Sequence, residues 1–183
     1  KLRPHFKSHK CVTLARHQLE AGSAVGITCA KLAEAEALVA GGIRDVLIAN
    51  QVVGPAKARR LAALNRSAAV RSAVDSLVNL AELGEAATAA GVPIGVLIEI
   101  DIGMHRCGVP PGEPVLALAS RIRETPGLRL DGLQAYEGHL VTHPDPQERR
   151  AKVAKAMEPV QTTARLLQDA GFSCEIVSGG GTG

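Results

Sequence analysis

The sequence predicts an α/β chain built as a (β/α)8 TIM-type barrel, present here as about seven βα units of an incomplete barrel. Two observations carry this. Apolar, β-branched runs alternate with alanine-rich runs of 3.6-residue period from one end of the chain to the other, as repeated βα units around a parallel sheet require. Polar residues then follow nearly every apolar run: Lys7, Thr28, Asn50, Ser72, Asp101, Arg106, Tyr136, His139 and Ser178. Barrel enzymes place their chemistry at the carboxyl ends of the strands, so this is the pattern expected of a barrel mouth. A doubly wound open sheet is the alternative, and it would concentrate such residues at one switch point.

Taken in order, a first strand is expected around Phe6. Others follow near residues 24–28, 45–49, 69–74, 95–100, 132–136 and 174–177, each rich in Val, Ile, Leu or Ala. Helices are expected at about 11–20, 32–40, 55–65, 76–90, 114–124 and 146–170. Gly22, Gly41-Gly42, Gly91 and Gly171 stand where a chain must leave the helix, and Asp75 or Ser76 is placed to cap.

Composition bounds the function. The 183 residues are 46% hydrophobic and 21% charged, which suits a globular domain with a substantial core. Aromatic residues make up only 2%, so surfaces for stacking nucleic-acid bases are essentially missing. The net charge of +3 is small and the basic residues are scattered, which argues against a polyanion partner. Cys11, Cys29, Cys107 and Cys174 show neither zinc-type spacing nor a C-x-x-C pair, and reduced thiols in a cytoplasmic protein are expected. Neither a leader peptide nor an apolar run of membrane-spanning length is visible. Because the chain starts at Lys1 and stops within a loop, residues 1–183 are read as one domain of a longer protein, truncated at both ends.

Chemistry gathers in four places. Ser178-Gly179-Gly180-Gly181-Thr182-Gly183 follows a strand-like run and has the composition of a phosphate-gripping loop, with hydroxyls from Ser178 and Thr182. Arg3-Pro4-His5-Phe6-Lys7-Ser8-His9-Lys10 places Lys7 among basic neighbours that favour a neutral amine able to form a Schiff base. An amine and a phosphate loop together suggest pyridoxal phosphate; the plain alternative is a basic segment fraying into solvent. After the buried run 95–100, the stretch Glu99 to Gly108 delivers two carboxylates, His105 and Arg106 to one loop. Arg106 can pair with a phenolate oxygen, or form a structural salt bridge with Asp101. Tyr136 closes another strand. His105, His139 and His143 lack a carboxylate-histidine ligand spacing, so no metal site is expected within these residues.

At residues 3–10 the chain resembles the family of D-threonine aldolases and D-serine dehydratases, pyridoxal-phosphate enzymes of the alanine-racemase-like class. Similar segments follow in order: residues 28–36, 47–53, Glu99-Ile100-Asp101-Ile102-Gly103 with Arg106-Cys107-Gly108-Val109, 132–139 and 178–183. The resemblance implies that Lys7 carries pyridoxal 5'-phosphate, and that Ser178, Gly180, Gly181, Thr182 and Gly183 hold its phosphate. Arg106 would lie near the ring or its phenolic oxygen and Tyr136 near the pyridine nitrogen, where a neutral phenol makes a weaker electron sink than a carboxylate partner would. It further implies a divalent metal whose ligands come from a C-terminal β-domain absent from this chain, a homodimer at full length, and a small-molecule D-3-hydroxy amino acid as substrate. His9, or a metal-activated group, would take the β-hydroxyl proton as the Cα–Cβ bond breaks to leave glycine and an aldehyde. Dehydration in the manner of D-serine dehydratase is the sister outcome. Other readings are an amino-acid racemase, a non-catalytic pyridoxal-phosphate carrier, and a barrel with no cofactor.

Overall fold

The structure, a computed structural model, describes residues 1–181. Six parallel strands lie side by side in chain order: β1 (Ile27–Cys29), β2 (Asp45–Gln51), β3 (Ala69–Val74), β4 (Ile94–Ile100), β5 (Leu128–Ala135) and β6 (Ile176–Ser178). Six α-helices accompany them: α1 (Val12–Glu20), α2 (Leu32–Ala40), α3 (Pro55–Leu64), α4 (Leu77–Ala90), α5 (Glu113–Glu124) and α6 (Pro146–Asp169). Because each strand pairs with the next, there is no switch point among the described residues. Right-handed crossovers then put every helix on one face, and the sheet curls into part of a barrel instead of a doubly wound layer.

The seventh strand expected around Phe6 does not form. Phe6–Ser8 is a single 3-10 turn, and the segment joins the sheet only through isolated parallel bridges from Leu2 to Ala24 and from His5 to Thr28. Pro4 has no N–H to give a ladder, and the His5 side chain accepts from the Lys7 N–H, which turns the chain before a strand can extend. The chain described here is therefore six strands, with the opening segment as a rudimentary edge.

Strand alternation sorts the interior into two faces. Val46, Ile48, Val70, Val74, Val96, Ile98 and Leu133 join the helices in the continuous core. Leu47, Ala73 and Leu97 are equally buried but alternate with these, so they form the apolar floor of the concave face. At the amino ends of the strands the concave face is ionic. Arg71 bonds both Asp131 (2.6 Å) and Asp45 (3.0 Å), Arg3 also reaches Asp45, and Arg129 bonds Asp131 at 2.6 Å. Gly95 makes room here, since a Cβ at that position would strike the Asp131 carboxylate. The carboxyl ends carry a different set of polar groups.

Candidate active site

Lys7 sits at the β1 edge of the sheet, on the short turn that replaces the expected strand. Its side chain is exposed. Its backbone N–H is held 3.2 Å from His5 Nδ1, so that nitrogen must be unprotonated. Burial, and then the Lys7 charge, push the His5 imidazole below its ordinary value against an opposing pull from Glu34. His9 braces the same turn. Its Nδ1 accepts from the Cys11 N–H at 3.1 Å, which leaves the ring proton on Nε2, facing Gln18 Oε1 at 3.3 Å. The ring also stands edge-on to Phe6, with centroids 5.5 Å apart. So arranged, His9 has both nitrogens engaged.

Arg106, Tyr136 and the glycine loop meet at the other lip of the mouth, above β4 to β6. The Arg106 guanidinium lies 5.6 Å from the centroid of the Tyr136 ring. A glycine lets this ring pack: a Cβ on Gly138 would strike Tyr136 and Met104. Gly179 passes directly over the Ala135 carbonyl oxygen, an approach no Cβ permits. One loop N–H is already used, because Gly180 N donates to the buried Glu137 carboxylate at 3.1 Å. Thr182 and Gly183 lie outside the described residues. Between the loop and α6 a cleft of about 780 Å³ is lined by Glu137, Val141, Arg149 and Gly181 among others.

Asp101 does not pair with Arg106. Its carboxylate accepts the N–H groups of Gly103 and His105, each at 3.0 Å, and the His105 imidazole at 2.9 Å. Burial opposes ionisation, but those donors outweigh it and hold the carboxyl below its ordinary value. Cys29, the buried thiol of β1, is pushed up to about 12 by burial and by Glu34, so it is no nucleophile.

Sequence reasoning missed a polar cluster between these two groups. Gln51 Nε2 donates to Glu99 Oε2 at 2.6 Å and to Asp75 Oδ2 at 3.1 Å, and Asp75 Oδ2 also accepts the Gly108 N–H at 3.0 Å. Asp75, placed by sequence as a possible helix cap, leaves that task to Ser76, whose side chain accepts from Asn79 N. The signal that finds the cluster is spacing. Gln51 and Asp75 are 24 residues apart, and Gln51 and Glu99 are 48 apart, one and two βα repeats.

An exposed amine on a braced turn, a guanidinium and a phenol in contact, and a glycine loop pressed against backbone are chemically compatible with an aldehyde-phosphate cofactor. The loop is compatible with such a group because Gly179 and Gly181 press so closely on the Ala135 oxygen and on Val141 that a Cβ would strike them, and no side chain then stands between this backbone and an anion. A metal finds no comparable set: among the described residues, no group of three or more His, Cys, Asp or Glu is placed to hold one.

Residues 1–183 match the family Alanine racemase, N-terminal domain. The chain belongs to that family. It is 45% identical over its full length to the D-threonine aldolase of an Arthrobacter species, of which it covers 48%. It is 41% identical over 182 residues to the 3-hydroxy-D-aspartate aldolase of Paracoccus denitrificans, covering 99% of this chain and 47% of that one. The solved D-threonine aldolase of Filomicrobium marinum superposes with a TM-score of 0.95 at 45% identity, over 98% of this chain and 48% of that one. The chain thus spans about half the length of these relatives. Among the described residues, no helix is long and apolar enough to cross a membrane.

Proposed function

We propose that this chain is the cofactor-holding part of a pyridoxal-phosphate-dependent lyase that cleaves D-3-hydroxy amino acids, as in the retro-aldol splitting of D-threonine to glycine and an aldehyde. The observation that carries the reading is the exposed Lys7 amine on a turn braced by His5 and His9, at one lip of a mouth whose other lip holds Arg106 against Tyr136 and the glycine loop. Similarity to two aldolases over the whole chain supports it.

In this reading Lys7 would hold the cofactor, Arg106 and Tyr136 its ring, and Ser178, Gly180 and Gly181, with Thr182 and Gly183, its phosphate, the Gly180 N–H turning to it from Glu137. The cofactor, when bound, supplies the electron sink for cleavage at Cα. Arg106, always charged and planar, orients the ring's phenolic oxygen and keeps it ionised. Tyr136 offers a hydroxyl that donates or accepts without adding charge. For His9 to take the β-hydroxyl proton, its Nδ1 must first give up the Cys11 N–H when substrate enters, since Nε2 already carries the ring proton; until then it braces the Lys7 turn.

A divalent metal with ligands outside these residues, a homodimer and a cytoplasmic site of action belong to the same reading through the family resemblance. The four unpaired thiols are in keeping with a reducing compartment. The test is release of aldehyde and glycine from D-threonine by the full-length protein with pyridoxal phosphate and a divalent metal. Stoichiometric release that is absent in Lys7→Ala supports the reading. Release of ammonia and a keto acid in its place would move the assignment to dehydration.

A further inference from the structure

The Gln51, Asp75 and Glu99 cluster lies outside the groups assigned above, and its geometry connects it to one of them. Each carboxylate takes one N–H of the same Gln51 amide nitrogen, so two acids from β4 and the end of β3 converge on a single neutral donor from β2. A neutral amide does not compensate two negative charges. Asp75 spends the same oxygen on the Gly108 N–H, and the backbone of Glu99 accepts the Val109 N–H at 2.9 Å. Val109 in turn accepts from the Asp101 N–H at 2.9 Å. The loop that carries Arg106 is therefore pinned at its far end on this cluster. Gly108 allows the close seat: with φ of +98°, a Cβ there would lie 2.7 Å from the Asp101 nitrogen.

We propose that Gln51, Asp75 and Glu99 are positioning residues that seat the 101–109 loop, and with it Arg106, and that the seat loosens when Glu99 gives up its proton. This rests on the reading of Arg106 as a cofactor ligand. With Glu99 protonated, Gln51 bridges that acid and Asp75, whose Oδ2 is left to the Gly108 N–H. Loss of that proton to solvent puts two like charges on one amide, which spread the pair and draw Asp75 away from Gly108. Glu99 is the group whose proton is held more tightly than usual. Burial raises its ionisation range most, Gln51 opposes, and Asp75 and Asp101 raise it further against the pull of Arg106. On the β5 side the facing residue is the neutral Gln134, whose buried Oε1 has no hydrogen-bond partner.

The experiment follows amide hydrogen exchange of the peptide spanning 101–109 in the full-length protein, from mildly acidic to mildly alkaline buffer, after correction for intrinsic exchange. In the wild type, protection at Gly108 and Val109 falls as pH rises. In Glu99→Gln, which mimics the protonated acid, protection stays flat across the same range. Asp75→Asn keeps an oxygen for Gly108 but removes the charge, and it flattens the profile too. Asp75→Ala loses protection at every pH, by about tenfold or more. The pH profile of the apparent cofactor affinity moves with the exchange profile, losing its fall with rising pH in Glu99→Gln. A Glu99→Gln profile that superposes on the wild type, or full Gly108 protection in Asp75→Ala, overturns the proposal. If the wild type fails to cleave D-threonine, the functional reading falls while the exchange data still decide whether the cluster seats the loop.

Discussion

The guanidinium of Arg106 rests over the ring of Tyr136 at 5.6 Å, although the two residues come from loops that follow different strands. That contact joins the loop after β4 to the loop after β5 and sets one wall of the mouth. A cation over an aromatic face contributes about 0.5–2 kcal/mol, depending on how dry the site is.

Replacing Arg106 by Lys keeps the charge but discards the planar fork. The expected result is about a tenfold loss of pyridoxal-phosphate affinity, near 1.4 kcal/mol, with little change in melting temperature because the side chain is exposed. Cofactor titration by absorbance checks it. Unaltered affinity would mean that charge alone matters at this position.

The His5 cap on Lys7 predicts a pH dependence. The imidazole is held below its ordinary value, so its contribution to stability is complete above that value and is lost as pH falls from there through the lowered folded value. Protonated Nδ1 can no longer accept the Lys7 N–H. A stability gap between wild type and His5→Ala should be present at neutral pH and close on acidification. Thermal melts across that range decide it, and a gap independent of pH contradicts the cap.

Gly179 and Gly181 differ in what blocks a side chain. At Gly179 the obstacle is the backbone oxygen of Ala135, and at Gly181 it is a terminal methyl of Val141, which can turn aside. Gly179→Ala should therefore cost about 1–3 kcal/mol and most of the cofactor binding, with Gly181→Ala the milder of the two. Denaturant unfolding of both variants tests the order.

The ionic set at the opposite end of the sheet is structural. Burial pushes the Asp131 carboxyl up, but bonds from Arg129 and Arg71 outweigh it and hold it below its ordinary range. Its contribution is thus present above the unfolded carboxylate value and lost as pH falls through the lowered folded one. Asp131→Ala leaves the mostly buried Arg71 with Asp45 as its one carboxylate partner and should cost about 2 kcal/mol. An equal loss at low pH, where the wild-type carboxyl is protonated, would refute the sign.

Much of this arrangement was legible in sequence. The Pro55 start of α3, the Gly91 stop of α4 and the βα alternation depend on local rules, and each lies where those rules place it. Ser178 and Tyr136 fall at strand ends because the pattern of apolar runs is local as well. What escaped was set by side-chain hydrogen bonds and by strand register. Phe6 reads as a strand until Pro4 and the His5 cap turn the chain. His9 reads as a free base until Cys11 and Gln18 occupy both its nitrogens. Gln51, Asp75 and Glu99 are unremarkable singly, and only the barrel register makes them neighbours.

The most direct test of the account is covalent. The full-length protein is loaded with pyridoxal phosphate, reduced with borohydride and digested, and the peptides are mapped by mass. The account predicts one cofactor-bearing peptide, modified at Lys7 and missing in Lys7→Ala. Modification at Lys10 or Lys31 in place of Lys7, or labelling that survives Lys7→Ala, would contradict it.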